Sequence, residues 1–396
     1  MRAYSMGKRK VRFGIIGVGN MGSAHLRSFF AGKVENGYVS AIADIDPARL
    51  EAAKKSCPGD YECYSSGNEL IDKSDADVVI VATPHYQHPE LCIRALENGK
   101  NALCEKPAGV YTKQVKEMNA AAAKSDKLFT MMFNQRTNPL YRKRRELVTN
   151  GVVGDIKRVN WLITDWYRSQ SYYDSGSWRA TWAGEGGGVL FNQCPHQLDL
   201  LQWITGMMPK KIRAFCRFGQ WHDIEVEDDV TAYMEYENGA TGVFITSTAD
   251  TPGTNRFEIL GTKGKLVCEN NKLRAYRLEQ DEREFNATYK GGFGEPKFTE
   301  EEILPQGENP QHAGILNNFA NAVLGIEPLF VKGEEGLNGV ILMDAMLLSQ
   351  WQDRAVELPF DDDEYYEELK KHIKNSVKKD TVNVVLDTEG TYGKKQ

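Results

Sequence analysis

The sequence has no run of about 18 apolar residues, so no transmembrane helix is expected. It also has no Cys-x-x-Cys pair, and its seven cysteines are scattered and odd in number. This cysteine usage favours a reducing cytoplasm over a disulfide framework. The first ten residues are basic, but no apolar signal core follows them. Together these absences predict a cytoplasmic protein.

An excess of positive charge is absent too. The formal net charge is -6, which argues against non-specific binding to nucleic acid or anionic membranes. Hydrophobic residues make up 41% of the chain, an ordinary share for a globular protein. With 396 residues the chain exceeds a typical single domain, and we expect two domains with appended helices.

A glycine-rich turn follows the first predicted strand, residues 11–16, and leads into a predicted helix. Strand, turn, helix and second strand form the context of a dinucleotide-binding fingerprint. The first glycine permits the tight turn, the second lets the backbone approach a pyrophosphate, and the third lets helix and strand pack closely. The helix N-terminus would supply amides for the phosphates. The candidate residues in this turn are Gly17, Gly19, Asn20, Met21 and Gly22.

Asp44 ends the second predicted strand, 22 residues after Gly22. A carboxylate at this point can bind a ribose 2′-hydroxyl and would repel a 2′-phosphate. The next residue, Ile45, offers no arginine to receive such a phosphate. The sequence therefore favours NAD over NADP.

Strands and helices alternate up to residue 133, which predicts a parallel, doubly wound sheet. The predicted strand 101–104 leads into Glu105-Lys106-Pro107. Ligands of such sheets bind outside the carboxyl ends of the strands, and proline favours extended backbone for the preceding residue. Lys106 could therefore meet a substrate hydroxyl beside a bound dinucleotide, although in isolation it would pass for a surface lysine. Candidate cofactor contacts at these strand ends are Thr83, Pro84, His88, Glu105, Lys106 and Gln135.

His85 and His88 lie three residues apart and could be considered metal ligands. Nothing near them in the sequence completes a metal site, so we expect no metal. We expect these histidines to line the nicotinamide side of the site or to cap the helix that follows.

The pattern changes after residue 133. Several alternating strands between residues 156 and 277, with Asn238-Gly239 as a hairpin signal, predict an α+β domain with a largely antiparallel sheet. His312 begins a later helix and could reach the site. The predicted parts are a Rossmann domain (1–133), a substrate and oligomerisation domain (134–308), helices that pack back on the first domain (309–360), and a charged tail (361–396). Residues 361–379 of the tail are predicted to be helical, with the charges on a solvated face.

A polar triplet follows a run of three glycines. Asn192, His196 and Asp199 are spaced i, i+4 and i+7, which is one face of a helix. Pro195 would kink this helix or mark its first turn, so Asn192 could lie just ahead of it, with Gly206 as the C-cap. Alone, His196 would be a half-buried histidine with satisfied hydrogen bonds and Asp199 a capping carboxylate. The glycine run in a chain with a dinucleotide fingerprint favours a functional role.

Aromatic residues and arginines crowd the stretch before these glycines. They suit a sugar or glycoside, through stacking and hydrogen bonds to hydroxyls. They would equally suit a subunit interface, where aromatics and arginine are enriched. Both uses stay open for Tyr167, Arg168, Tyr172, Tyr173, Trp178, Arg179 and Trp182.

Three motifs together resemble the glucose–fructose oxidoreductase / inositol dehydrogenase / rhizopine-catabolism (Gfo/Idh/MocA) family. The resemblance implies a Rossmann domain and a C-terminal α/β domain whose open-faced sheet commonly mediates oligomerisation. It implies NAD(P)-dependent oxidation of a secondary hydroxyl on a sugar, cyclitol or glycoside, or the reverse reduction. It also implies Lys106 and His196 as the acid/base pair, and Asp199 as a substrate contact. The motifs are Gly17-x-Gly19-x-x-Gly22, Glu105-Lys106-Pro107 and Gly186-Gly-Gly-x-x-x-Asn192-x-x-x-His196-x-x-Asp199.

Several functions remain compatible with this resemblance. We favour a homo-oligomeric NAD-dependent dehydrogenase of a sugar or glycoside ring hydroxyl, with C3 as a candidate carbon. An inositol dehydrogenase ranks second, because many such members carry Asp where this chain has Asn192, and asparagine cannot take up a proton. A glycosidase that oxidises its substrate transiently with NAD is a third possibility. A dinucleotide-sensing regulator is a fourth, opposed by the presence of both Lys106 and His196.

Overall fold

The computed structural model describes residues 9–377, which fall into two compact units. The first contains residues 9–137 and Pro310–Leu337, and the second contains residues 138–309 and 338–377. The predicted set of helices at 309–360 is therefore divided between the two units. None of the helices within residues 9–377 has the length and apolarity needed to span a membrane.

The first unit is built on a six-stranded parallel sheet. Its strands run in the order β3-β2-β1-β4-β5-β6, the order of a dinucleotide-binding Rossmann sheet. The strands are β1 (Val11–Ile16), β2 (Gly37–Ala43), β3 (Glu62–Tyr64), β4 (Val78–Val81), β5 (Asn101–Cys104) and β6 (Phe129–Met131). The helices between them are α1 (Asn20–Phe30), α2 (Pro47–Ser56), α3 (Gly67–Lys73), α4 (His88–Glu97) and α5 (Thr112–Lys124).

Continuous apolar strands explain why this sheet is central. All four residues of β4 are fully buried, as expected when both faces of a parallel strand are covered. The strand order reverses at β1, whose neighbours β2 and β4 lie on opposite sides. Ligands of such folds bind at this reversal, outside the carboxyl ends of the strands. The predicted doubly wound fold is confirmed.

The second unit contains a nine-stranded mixed sheet in the order β14-β13-β12-β11-β7-β10-β9-β8-β15. Only β7 and β10 pair in parallel, so the predicted, largely antiparallel sheet is confirmed. The first strands are β7 (Ile156–Ile163), β8 (Lys211–Phe218), β9 (Glu227–Glu235) and β10 (Thr241–Ser247). The others are β11 (Asn255–Gly261), β12 (Gly264–Glu269), β13 (Lys272–Leu278), β14 (Phe298–Ile303) and β15 (Val356–Glu357).

Helices α6 to α10 belong to the same unit as this sheet. One face of the sheet is buried, and there Trp161 stacks on Phe257 with ring centroids 4.4 Å apart. The helices are α6 (Pro139–Thr149), α7 (Gln170–Asp174), α8 (Val189–Asn192), α9 (Pro195–Thr205) and α10 (Glu282–Thr288). Three more helices follow in the chain. Helix α11 (Gln311–Val323) belongs to the first unit, and α13 (Asp362–Asn375) belongs to the second. Helix α12 (Gly336–Trp351) starts with the last residues of the first unit and continues in the second.

The charged helix predicted after residue 360 is α13, and the face opposite its charges is buried. Tyr365 and Leu369 of this helix are fully buried, and the Tyr365 ring stacks on Trp351 at 5.4 Å. Charged pairs such as Glu367 and Lys370 occupy its other face. The high charge of the segment hid an apolar stripe at helical spacing. Residues 378–396 lie outside the described part of the chain.

Strands β3, β14 and β15 were not predicted. Two of them are only two or three residues long, too short for a periodic signal. The third, β14, carries three consecutive glutamates, a composition depleted in strands. Arginines of the neighbouring strand β13 compensate this charge, through the ion pairs Arg274–Glu300, Arg274–Glu302 and Arg277–Glu301.

Candidate active site

The glycine turn between β1 and α1 has the geometry that a dinucleotide requires. Gly17 has a φ of +86°, and a Cβ there would lie 2.7 Å from the carbonyl oxygen of Ala82. A Cβ on Gly22 would overlap the carbonyl oxygen of Gly17. Gly19 caps α1 without any side-chain hydrogen bond, and a Cβ on it would have only the Arg49 guanidinium within 4 Å. The turn therefore leaves the amides at the start of α1 for a phosphate ligand.

Asp44 follows β2 and is nearly buried, with 6% of its surface exposed. One carboxylate oxygen accepts a hydrogen bond from the backbone of Val18 at 2.9 Å, and the other accepts one from the backbone of Asp46 at 2.9 Å. Each oxygen keeps a second lone pair that could accept a ribose hydroxyl. The carboxylate therefore also shapes the glycine turn, a role that sequence spacing did not reveal.

The strand ends beside the glycine turn are tied together by His88. This histidine is 1% exposed, and its two ring nitrogens lie 2.7 Å from the carbonyl oxygens of Pro107 and Thr83. Burial lowers the pKa of His88, while the two carbonyls oppose this shift. The ring therefore contacts both the loop after β4 and the loop after β5. Pro84 lies in the same loop as Thr83, just before His85.

Lys106 is the second residue after β5, and its peptide bond to Pro107 is cis. The preceding residue, Glu105, is a buried carboxylate that faces His25 of α1. Gln135 lies half-buried in a short 3-10 turn, Asn134–Thr137, after β6. Within residues 9–377, no group of three or more His, Cys, Asp or Glu residues is arranged to hold a metal ion.

In the second unit, a short non-helical segment separates α8 from α9. Asn192 is the last residue of α8, and Pro195 occupies the first turn of α9, as expected for a proline with no amide proton to donate. Gly206 ends α9 in the left-handed conformation, which confirms the predicted C-cap. His196 is partly exposed on α9. Asp199, one turn further, is 1% exposed and accepts a hydrogen bond from Gln202 at 3.2 Å.

The Asn192 carboxamide is held in one orientation. Its Oδ1 accepts a hydrogen bond from the Tyr172 hydroxyl at 3.1 Å, and its Nδ2 donates to the carboxylate of Glu185. Glu185 is 2% exposed and also accepts the backbone N–H of Ala180 at 2.6 Å. The sequence singled out Asn192 but not Glu185, whose place at the start of the glycine run was its only signal.

The aromatic and arginine residues gather around Tyr172. The guanidinium of Arg168 lies 5.1 Å from its ring centroid, and that of Arg179 lies 4.7 Å from it. Arg179 also donates to the Tyr172 hydroxyl at 3.0 Å and covers the Trp178 ring at 4.7 Å. Tyr167 is half-exposed. Four of the predicted substrate residues, Arg168, Trp178, Arg179 and Asn192, therefore belong to one cluster, which we call the Tyr172 cluster.

A buried carboxylate, Glu227 of β9, supports the glycine run. It is fully buried, and one oxygen accepts the backbone N–H groups of Gly188 at 2.8 Å and Leu190 at 3.0 Å. These bonds cap the start of α8, which carries Asn192. Burial raises the pKa of Glu227 to about 8, although the backbone hydrogen bonds favour its ionised form. A glutamate inside a strand gave no sequence signal for this role.

The raised pKa of Glu227 predicts a pH-dependent stability. The folded state keeps a proton that the unfolded state, with an ordinary pKa of about 4.3, releases. The free energy of unfolding should therefore fall as pH rises from about 5 to 8, by about 1.4 kcal/mol per pH unit from this group. Glu227→Gln cannot ionise, and we expect it to flatten this fall in urea unfolding at pH 6, 7 and 8. The exposed Glu237→Gln is the control, and an unchanged fall in Glu227→Gln would contradict the prediction.

Glu225 joins the end of α13 to the loop that carries Trp178 and Arg179. One of its oxygens accepts the backbone N–H of Trp182 at 2.9 Å and the hydroxyl of Ser376, and the other accepts the backbone N–H of Val377 at 3.1 Å. The Trp182 ring also contacts His372 of α13, with centroids 4.9 Å apart. The C-terminal helix thus fixes one end of this loop.

Glu225→Ala should release the loop. Each lost hydrogen bond to the charged carboxylate is worth about 1.5–3 kcal/mol, so we expect the KM for the organic substrate to rise about tenfold. The KM for NAD should stay within about twofold, because the glycine turn lies in the other unit. Steady-state kinetics measures both values, with Glu367→Ala on the exposed face of α13 as the control. Equal changes in the two KM values would contradict this assignment.

Comparisons with known proteins agree with this geometry. Residues 11–133 match the family model described as an oxidoreductase family with an NAD-binding Rossmann fold, and residues 141–267 match the Gfo/Idh/MocA C-terminal domain. Together the two matches span more than half of the chain. The chain therefore belongs to the Gfo/Idh/MocA family, as its motifs predicted.

Individual relatives are dehydrogenases. Myo-inositol 2-dehydrogenase of Thermotoga maritima is 25% identical over 358 residues, which cover 88% of this chain and 98% of the relative. Levoglucosan dehydrogenase of Pseudarthrobacter phenanthrenivorans is 26% identical, with coverage of 72% and 81%. The crystal structure of the WlbA dehydrogenase of Bordetella pertussis, in complex with NADH and UDP-GlcNAcA, superposes with a TM-score of 0.75 at 25% identity and covers 89% of this chain and all of that one. The protein is an NAD(P)-dependent oxidoreductase that acts on CH–OH groups, and its Rossmann domain binds NAD.

Proposed function

We propose that the protein oxidises a secondary ring hydroxyl of a sugar or glycoside, with C3 as the first carbon to test. The observation that carries this proposal is the Tyr172 cluster, where two guanidinium groups and an oriented carboxamide surround one phenol. Arginine forks and aromatic faces suit the hydroxyls and the apolar ring faces of a sugar. The levoglucosan dehydrogenase among the relatives supports a sugar-like substrate.

Lys106 and His196 serve as the acid/base pair in this proposal. One of them removes the proton of the reacting hydroxyl, and the other holds the oxygen by an N–H hydrogen bond. Asn192 and Asp199 bind further hydroxyls, together with Tyr167, Arg168, Trp178 and Arg179. When bound, NAD supplies the hydride acceptor. Among the predicted cofactor residues, Glu105 and His88 act by positioning their neighbours, while Thr83, Pro84 and Gln135 remain candidates for direct contact.

NAD rather than NADP is the expected coenzyme in turnover. The carboxylate of Asp44 disfavours a 2′-phosphate, as the sequence predicted. Arg49 was not predicted as a phosphate contact, because it is not adjacent to Asp44 in the sequence. It lies beside Gly19 and forms only a loose ion pair with Asp46, at 3.6 Å. We propose that Arg49 gives NADP a measurable but minor activity.

The test is NADH formation by the purified protein across a panel of sugars, glycosides and cyclitols, repeated with NADP. We expect the best kcat/KM for a sugar or glycoside with NAD. No turnover of any sugar or glycoside would overturn the proposal. Bond cleavage without net NADH formation would instead indicate a glycosidase that recycles its NAD.

An inositol dehydrogenase is the second candidate. It is favoured by the similarity to the Thermotoga maritima myo-inositol 2-dehydrogenase over 88% of the chain. Asn192 opposes it, since the carboxamide cannot take up a proton. Turnover of cyclitols alone in the same panel would select this function.

We also propose a homo-oligomer that forms through the open face of the nine-stranded sheet. Tyr233 pairs in register with Val243, Val243 with Asn160, and Asn160 with Glu258, so these side chains form one row. Tyr233 is 42% exposed in the single chain. Light scattering should give at least a dimer for the wild type and a smaller species for Val243→Glu. A monomeric wild type would contradict the proposal.

A further inference from the structure

His25 and Glu105 form a buried pair beneath the candidate catalytic lysine. His25 is on α1 and is fully buried, and Glu105 is 4% exposed after β5. The Nε2 of His25 lies 2.6 Å from Oε1 of Glu105. Because a carboxylate only accepts hydrogen bonds, Nε2 carries the proton and donates it. A charged acceptor at this distance makes the bond a strong one.

The same carboxylate reaches the backbone of Lys106. Its Oε2 accepts the Lys106 N–H at 3.2 Å. One side chain therefore connects α1, which begins at the glycine turn, with the residue that carries the amine. Sequence analysis missed His25, because 80 residues separate it from Glu105.

His312 of α11 completes the buried cluster. Its ring meets the edge of the His25 ring, with centroids 5.6 Å apart. Burial lowers the pKa of His312 to about 4, so this ring is neutral at pH 7. His312 thus packs against the His25–Glu105 pair as a neutral ring and adds no second positive charge beside Lys106.

Charged and titratable groups face Glu105 from every side. Burial opposes its ionisation, but the hydrogen bond from His25 and the positive charge of Lys106 outweigh burial and lower the pKa of Glu105 to about 2. His88 of α4 and the neighbouring Cys104 also interact with it electrostatically. Glu105 is therefore an anion throughout the working pH range. Because charge interactions are reciprocal, this anion favours the ammonium form of Lys106.

We propose that His25 and Glu105 are a positioning pair that holds Lys106 for proton transfer. The proposal rests on the proposed role of Lys106. It extends that role to a residue of α1 that contacts the lysine only through Glu105.

The test compares Glu105→Gln, His25→Leu and His25→Gln with the wild type in pH profiles of kcat. The substrate is the panel sugar with the fastest NADH formation. Glu105→Gln removes the negative charge near Lys106. The part of the kcat pH profile that depends on deprotonation of the lysine should therefore move to lower pH by roughly one unit or more. His25→Leu should lower kcat at least tenfold, and His25→Gln, which keeps an N–H donor, should restore part of it. Arg27→Gln, on the exposed face of the same helix, should match the wild type.

A second readout needs neither substrate nor coenzyme. The short His25–Glu105 bond should give a downfield proton signal in the ¹⁵N-histidine NMR spectrum of the wild type and Arg27→Gln. Glu105→Gln and His25→Gln should lose this signal. Its absence from the folded wild type, or an unshifted kcat pH profile in Glu105→Gln, would overturn the proposal. Full turnover of Lys106→Met, with the NMR signal still present in the wild type, would instead show that the proposed catalytic role of Lys106 is wrong, which distinguishes that failure from a failure of the positioning pair.

Discussion

Lys106→Met is expected to lower kcat by about 10²- to 10⁴-fold, the contribution typical of a positioned acid or base. Methionine keeps a similar length and removes the amine. The dissociation constant for NAD should change by less than about threefold, because the phosphate-binding turn is formed by the glycines before α1. Single-turnover kinetics and NADH fluorescence titration measure the two quantities. His196→Asn should lower kcat to a similar extent.

The matched control is Lys124→Met, on the exposed end of α5, which should keep normal turnover. The double variant Lys106→Met/His196→Asn should be little slower than either single variant, since residues that act as a unit are not additive. Near-normal kcat in both single variants on the best substrate would contradict the proposed acid/base pair.

Gly22→Ala is expected to abolish NAD binding and to destabilise the first unit. The added methyl group would overlap the Gly17 carbonyl oxygen, so α1 would have to move away from β1. Such overpacking typically costs about 1–3 kcal/mol, and the displaced helix would no longer present its amides to the phosphates. Thermal unfolding and calorimetric titration with NAD measure the two effects.

Gly339→Ala provides the matched control for this substitution. Gly339 lies inside α12, and a Cβ there would meet no atom within 4 Å. Alanine should therefore stabilise the protein by up to about 1 kcal/mol, through its higher helix propensity, and leave NAD binding unchanged. Normal NAD affinity in Gly22→Ala would show that the turn tolerates a side chain and would contradict the prediction.

Local patterns in the sequence predicted much of the fold. The bounds of β1 and β5 agree with the strands predicted at residues 11–16 and 101–104. The glycine turn was also predicted, because its spacing reflects backbone conformations set by neighbouring residues. Helix α9 begins at Pro195, one of the two predicted roles of this proline, and ends at the predicted C-cap Gly206, since proline and glycine act through their own backbone geometry.

Partners far apart in the sequence could not be predicted in this way. Glu227 supports the glycine run from 39 residues away, and its burial shifts its pKa towards neutrality. His88 was predicted to line the nicotinamide side of the site or to cap the following helix, and the sequence did not indicate that both of its ring nitrogens lie 2.7 Å from backbone carbonyl oxygens. The type of a residue does not show which distant atom will form its hydrogen bond, because the packing of the whole unit determines that partner.

The sequence by itself determined a Rossmann half with its glycine turn, the position of Lys106 after a strand, and His196 at the start of a capped helix. These features depend on residues a few positions apart, whose steric limits act wherever the segment lies. The tertiary structure decided what surrounds them: the His25–Glu105 pair below the lysine, the Tyr172 cluster around Asn192, and the packing of α13. Those contacts arise only when distant buried polar groups must find one another away from water.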